Sequence, residues 1–124
     1  MKYLFFLGLL LALPGCAHSA PVVLAWTYPT WNANPGSCSA TPDTLRDLGT
    51  FDIWAQRQGR TDSTLVITKT CVGREGKPDS VVVEQPEGVT LYWGFVYDTS
   101  SNRSCKSNVT SKLVTSVPTP ATFK

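Results

Sequence analysis

The sequence holds a single histidine, His18, and a single methionine in 124 residues. With His18 so near the start, the rest of the chain has no imidazole base for a Ser-His-Asp or Cys-His arrangement. No CxxC pair occurs, so a zinc site of ordinary spacing is not expected, and no cofactor is implied. Apolar residues do not recur at helical spacing, and no glycine-rich phosphate loop leads into a helix. Charge is sparse and mixed, with 11 Lys and Arg against 9 Asp and Glu and a net charge of +2. Without a basic stripe or a charged block, neither a nucleic-acid partner nor a charged tail is expected. The acids fall mainly in turns or at outward strand positions and do not flank a cleft, so paired-carboxylate hydrolysis is not expected either. Catalysis is therefore not expected of this chain.

What is present begins with a leader. Lys2 precedes an apolar run over residues 3–13, followed by Pro14-Gly15 and small residues, the layout of a secretory signal peptide over residues 1–19. The run is about half of the roughly 20 residues that span a bilayer, and no later run is long enough. Leu13-Pro14-Gly15-Cys16 is similar to a bacterial lipobox, which would lipidate Cys16 and tether the protein to a membrane through acyl chains alone. Pro14 departs from that pattern, and the alternative is ordinary cleavage after Ala17 or Ser19. Either route implies export, to the cell envelope or beyond it. The remainder has the size of one domain, expected over residues 20–117, with a loose proline-containing tail over 118–124. It retains Cys38, Cys71 and Cys105, an odd number, so one disulfide and one free thiol are expected in an oxidising compartment.

Strand signals recur, punctuated by Pro, Gly, Asn, Asp and Ser. Val22, Leu24 and Trp26 alternate on one face before Tyr28-Pro29. A long polar loop covers residues 30–47. Phe51, Ile53 and Ala55 alternate inward, with Asp52, Trp54 and Gln56 outward. Residues 65–68 and 80–84 are β-branched runs, residues 88–98 (GVTLYWGFVYD) carry large alternating residues, and residues 108–115 supply a last strand. Six strands joined mostly by short links predict an all-β, two-sheet antiparallel sandwich.

Residues 88–108 (GVTLYWGFVYDTSSNRSCKSN) resemble the F strand, F–G loop and G-strand start of a fibronectin type III domain. Val22 to Thr27 resemble its B strand, and Asp47-Leu48-Gly49 the lead into its C strand. The resemblance implies an immunoglobulin-like sandwich whose first strand is missing or truncated, because little chain precedes Val22. An exposed sheet edge would follow, open to pairing with another chain. The topology would gather Cys38, Cys71 and Cys105 at one pole, with Cys38–Cys105 the first choice of bridge and Cys71–Cys105 the alternative. The third thiol is expected to be buried and inert, or else to join a partner chain. Tyr28 and Trp31 border that pole, where loops of such domains often bind.

The strand at 88–98 admits two registers. Leu91, Trp93, Phe95 and Tyr97 share one face, and Tyr92, Gly94 and Val96 the other; a one-residue slip exchanges them. Burial at roughly 1.5–3 kcal/mol per large side chain favours the first set inward. The family pattern allows the second, with Tyr92 at the tyrosine-corner position. Trp93, Phe95 and Tyr97 would then join Trp54 in an outward aromatic stripe. The resemblance implies an exported, non-catalytic binding or spacer module whose ligand is a protein or a carbohydrate. The alternatives are an assembly subunit that uses strand addition or an intermolecular disulfide, and a carbohydrate-binding accessory domain. An outward Trp54–Trp93 pair would favour the last. Oligomeric state is not legible.

Overall fold

The computed structural model describes residues 18–34, 36–115 and 121–124. Residues 1–17, with Cys16, and residues 118–120 of the expected tail lie outside the described residues, whereas His18 and Ser19, at the end of the expected leader, are described and Ser19 opens a strand. Among those described there are eight strands: β1 (Ser19–Thr27), β2 (Trp31–Ala33), β3 (Ala40–Thr44), β4 (Leu48–Arg57), β5 (Thr64–Thr70), β6 (Pro78–Pro86), β7 (Gly88–Asp98) and β8 (Thr110–Val114). They form a four-stranded antiparallel sheet in the order β5-β4-β7-β8, a two-stranded sheet β1-β6, and a small ribbon β2-β3. The result is an all-β sandwich. The ribbon corrects the expectation of a plain loop over residues 30–47. Its residues are nearly all exposed, so they carry no buried alternation by which a strand is read.

The core is built from inward alternation. Leu24 from β1, Phe51 and Ile53 from β4 and Tyr92 from β7 are buried, and Val22, Trp26, Val81, Val83 and Val96 pack against them. One end is closed by an aromatic cluster. The Trp26 and Phe51 ring centroids lie 4.9 Å apart, and Tyr28 meets Phe51 edge-on at 5.8 Å.

The β7 register is the second of the two that the sequence allows. Tyr92 and Thr90 are buried at 4% and 3% exposure, and Leu91, Trp93, Phe95 and Tyr97 lie on the opposite face. Counting apolar bulk points the other way, and packing overrides it. Gly94 sits directly against the Phe51 ring, and a Cβ at position 94 would fall inside that ring's van der Waals envelope and 3.0 Å from the Asp52 carbonyl oxygen. Only the face that carries Gly94 can close over Phe51.

Tyr92 is held by a polar device within the core. Its hydroxyl donates to Gln85 Oε1 at 2.9 Å, and Gln85 Nε2 donates to the carbonyls of Gly88 at 3.0 Å and Lys112 at 2.9 Å. Gln85 is fully buried, with both donors and its acceptor used, so its burial is compensated. The bonds tie β6, β7 and β8 together.

Gly94→Ala is expected to destabilise the fold by about 1–3 kcal/mol, the cost of overpacking, although Gly→Ala in a strand is ordinarily favourable. A urea-unfolding midpoint unchanged or raised by the substitution would contradict the packing assigned to Phe51.

Candidate functional site

The outer face of the four-stranded sheet is the candidate site. Because β7 turns Tyr92 and Val96 inward, its intervening residues Trp93, Phe95 and Tyr97 project outward. β4 supplies the opposite row in register: Trp54 pairs with Trp93, Asp52 with Phe95 and Thr50 with Tyr97. Leu65 on β5 pairs with Trp54 on the far side and is 44% exposed. Beside the aromatic row lies a shallow polar depression lined by Thr50, Asp52, Thr68, Thr70 and Tyr97. There Thr68 Oγ1 donates to Asp52 Oδ1 at 2.6 Å.

Two cations complete the face. Lys106 Nζ lies 4.3 Å from the Trp93 ring centroid, and the Arg103 guanidinium carbon 4.6 Å from that of Phe95. Such contacts are favourable by about 0.5–1 kcal/mol at exposed sites. Neither cation makes a salt bridge among the described residues. Arg103 is placed by an isolated antiparallel bridge to Tyr97, and Lys106 by the backbone of residues 104–109, which runs beside β7 without forming a regular strand. Ser104 and Ser107 interrupt the ladder. The Val96 N–H donates to Ser104 Oγ at 3.0 Å and the Gly94 N–H to Ser107 Oγ at 2.8 Å, while the Ser104 and Ser107 N–H groups donate back to the Val96 and Gly94 carbonyls. Cys105 and Lys106, between the two serines, are thereby pushed out of the ladder.

Cys105 is bonded to Cys38, with Cα atoms 5.9 Å apart. The bridge ties the β2–β3 turn to the segment that carries Lys106. Cys71 is fully buried. Burial first, then the nearby Glu75 and Asp79, push its thiol up to about 11, so it stays protonated and unreactive near neutral pH. Cys71 thus offers no accessible sulfur for an intermolecular disulfide.

The remaining candidates from the sequence separate. Trp54 lies in the aromatic face, half-buried by its neighbours. Trp31 is 51% exposed on β2, outside that face. Tyr28 does not line a binding loop and is 2% exposed. Its ring packs in the core and its hydroxyl donates to Asp79 Oδ2 at 2.8 Å. Asp79 also meets Lys69 Nζ at 3.1 Å. Arg103 and Lys106 were not singled out from the sequence. Their signal is a pair of cations three residues apart, just after a polar turn that follows an aromatic strand. No group of three His, Cys, Asp or Glu side chains that could hold a metal occurs among the described residues.

The chain matches no protein-family model, and neither a curated protein nor a solved structure is significantly similar to it.

The Tyr28–Asp79 pair makes stability depend on pH. The Tyr28 hydroxyl, then the Ser80 N–H and Lys69, hold the Asp79 carboxyl down to about 2. The folded form therefore binds fewer protons than the unfolded chain below an ordinary aspartate pKa near 3.9, so this contribution is present above about pH 4 and is lost as pH falls through 2. Burial, then Asp79, push Tyr28 up to about 12, so its contribution is present below the ordinary value of 10.0 and is lost as pH rises through 12. In Asp79→Asn the decline in urea midpoint between pH 4 and 2 is expected to be shallower than in the parent. Equal slopes would show that the Asp79 carboxyl is not held down in the folded form.

Proposed function

We propose that this chain is a non-catalytic module of the fibronectin type III kind, which binds an acidic carbohydrate chain across the outer face of its four-stranded sheet. The family part is supported by topology. β1 and β6 pair as the B and E strands of such sandwiches do, and β4, β7 and β8 lie in the order of C, F and G. Tyr92 occupies the tyrosine-corner position, with one departure: its hydroxyl bonds a Gln85 side chain that relays to backbone, where the corner ordinarily bonds backbone directly.

The observation that carries the ligand class is the in-register Trp54–Trp93 pair with Phe95 and Tyr97 beside it, with Lys106 and Arg103 lying over the Trp93 and Phe95 rings and without ion-pair partners. Sugar rings present C–H faces that pack on aromatic rings and hydroxyls that bond to carboxylate and threonine groups, which Asp52 and Thr68 supply. Lys106 and Arg103 add a preference for carboxylate-bearing sugars. An exported chain fits such a ligand, and the Cys38–Cys105 bond supports an oxidising compartment. Under this proposal any membrane contact is through acyl chains on Cys16.

Isothermal titration with oligogalacturonate and with a neutral cello-oligosaccharide tests the proposal. The acidic oligomer is expected to bind more tightly, with affinity that falls as salt rises. Trp93→Ala is expected to weaken binding by about tenfold or more, or roughly 1.4 kcal/mol, with the unfolding midpoint little changed because that face is outside the core. Equal affinity for the two oligomers would remove the acidic preference, and binding of neither would remove the carbohydrate assignment.

A further inference from the structure

The outer face of the four-stranded sheet continues past the Trp54–Trp93 pair, and its two ends differ in chemistry. At one end Phe95 and Tyr97 stand with Asp52 and Arg103, the latter over the Phe95 ring. Towards the other end β7 turns Leu91 and then Val89 to the same side as Trp93. Leu91 pairs with Gln56 of β4 and with Ser111 of β8, and Val89 pairs with Leu113 of β8. Leu113 is 65% exposed, while its neighbour Val114 is buried on the opposite face. Leu65 adjoins the same region through its pairing with Trp54.

From the Trp54–Trp93 row to the Val89–Leu113 row, no outward position carries a charge. The polar side chains there are Gln56 and Ser111, and Gln56 Nε2 already donates to the Arg60 carbonyl at 2.6 Å. Along β7 the face thus passes from charged to apolar between Tyr97 and Val89, about 27 Å at the rise of an antiparallel strand. Single exposed aliphatic side chains are ordinary on a protein surface. Here they adjoin one another and the aromatic pair, which makes them part of a contact surface.

We propose that the ligand of this face is an acidic glycolipid. Its carboxylate-bearing sugar lies over Trp93 and Phe95, beside Lys106 and Arg103, and its alkyl chain lies along Leu91 and the Val89–Leu113 pair. This rests on the acidic-carbohydrate reading above and narrows it. An alkyl chain carries no hydrogen-bonding group, and the apolar end offers almost none, because the ladder uses the β7 backbone between β4 and β8. A protein segment laid flat on these rows would bring peptide groups that find few partners. The two ends also adjoin without a gap: Leu91 is two positions from Trp93 on one strand, so one molecule can cover both.

Isothermal titration with the octyl and methyl glycosides of trigalacturonate, both below the micelle concentration of the octyl compound, tests this. The two share one sugar and differ only in the chain. The octyl glycoside is expected to bind about tenfold or more tightly than the methyl glycoside. In Leu113→Ser that ratio should fall towards one, and the substituted side chain is exposed, so the fold has little to lose. Equal affinities in the parent, with the methyl glycoside bound, overturn the glycolipid and leave the carbohydrate reading standing. A ratio that survives Leu113→Ser overturns the placement of the chain. Octyl maltotrioside, neutral but carrying the same chain, should bind more weakly than the octyl acid; equal binding overturns the proposal. Binding of neither trigalacturonate glycoside removes the carbohydrate reading itself, and the apolar rows would then fall to a protein partner.

Discussion

Phe51 and position 94 compete for one volume, and the rest of the molecule follows from how that competition is settled. With glycine at 94 the Phe51 ring packs directly against the β7 backbone. That fixes which face of β7 looks inward, because side chains in a strand alternate strictly. Tyr92 and Val96 then join the core and Trp93, Phe95 and Tyr97 leave it. The inward face gives up large rings, and in return it gains close sheet-to-sheet contact and the satisfied Tyr92–Gln85 pair. The aromatic face is thus a consequence of core packing. A side chain at 94 would collide with the Phe51 ring and work against this register.

Much of the fold is legible in the sequence because alternation encodes it directly. The inward sets of β1 and β4 are readable from Val22, Leu24 and Trp26 and from Phe51 and Ile53, and the burial pattern matches. The β7 register is not legible by the same rule. Hydrophobic bulk ranks Trp93, Phe95 and Tyr97 above Tyr92 and Val96, and the deciding fact is a contact between Gly94 and a residue 43 positions earlier, as their numbers give (94 − 51). A glycine inside an otherwise aromatic strand is the only local trace of that contact. Tyr28 is not legible as a core residue for a related reason. A tyrosine before a proline reads as a loop residue, whereas its hydroxyl is claimed by Asp79, a partner that sequence proximity does not reveal. Lys106 is not legible because its position depends on the bulge between Ser104 and Ser107 and not on strand parity.

That bulge links the covalent and chemical features of the molecule. Two serine hydroxyls stand in for carbonyls opposite β7, so the intervening Cys105 and Lys106 leave the ladder together. One is captured by Cys38 and the other rests on Trp93. The disulfide limits how far the segment can move, and the ring limits where the ammonium can go. Preorganisation of this kind lowers the ordering cost that a ligand would otherwise meet, so a shallow face can still be selective.

The two sheets divide the surface unequally. The four-stranded sheet presents the aromatic face, and the two-stranded sheet leaves β1 open. A two-stranded ribbon is marginal by itself, and this one depends on Leu24, on Val81 and Val83, and on Tyr28 at its end for attachment to the core. Its outer face shows Val23 and Val82, directly paired and both more than half exposed. A third strand beside β1 would widen that sheet without touching Trp54, Trp93 or Phe95, which lie on the far side of the opposite sheet. Strand addition at β1 and ligand binding at the aromatic face are therefore sterically independent.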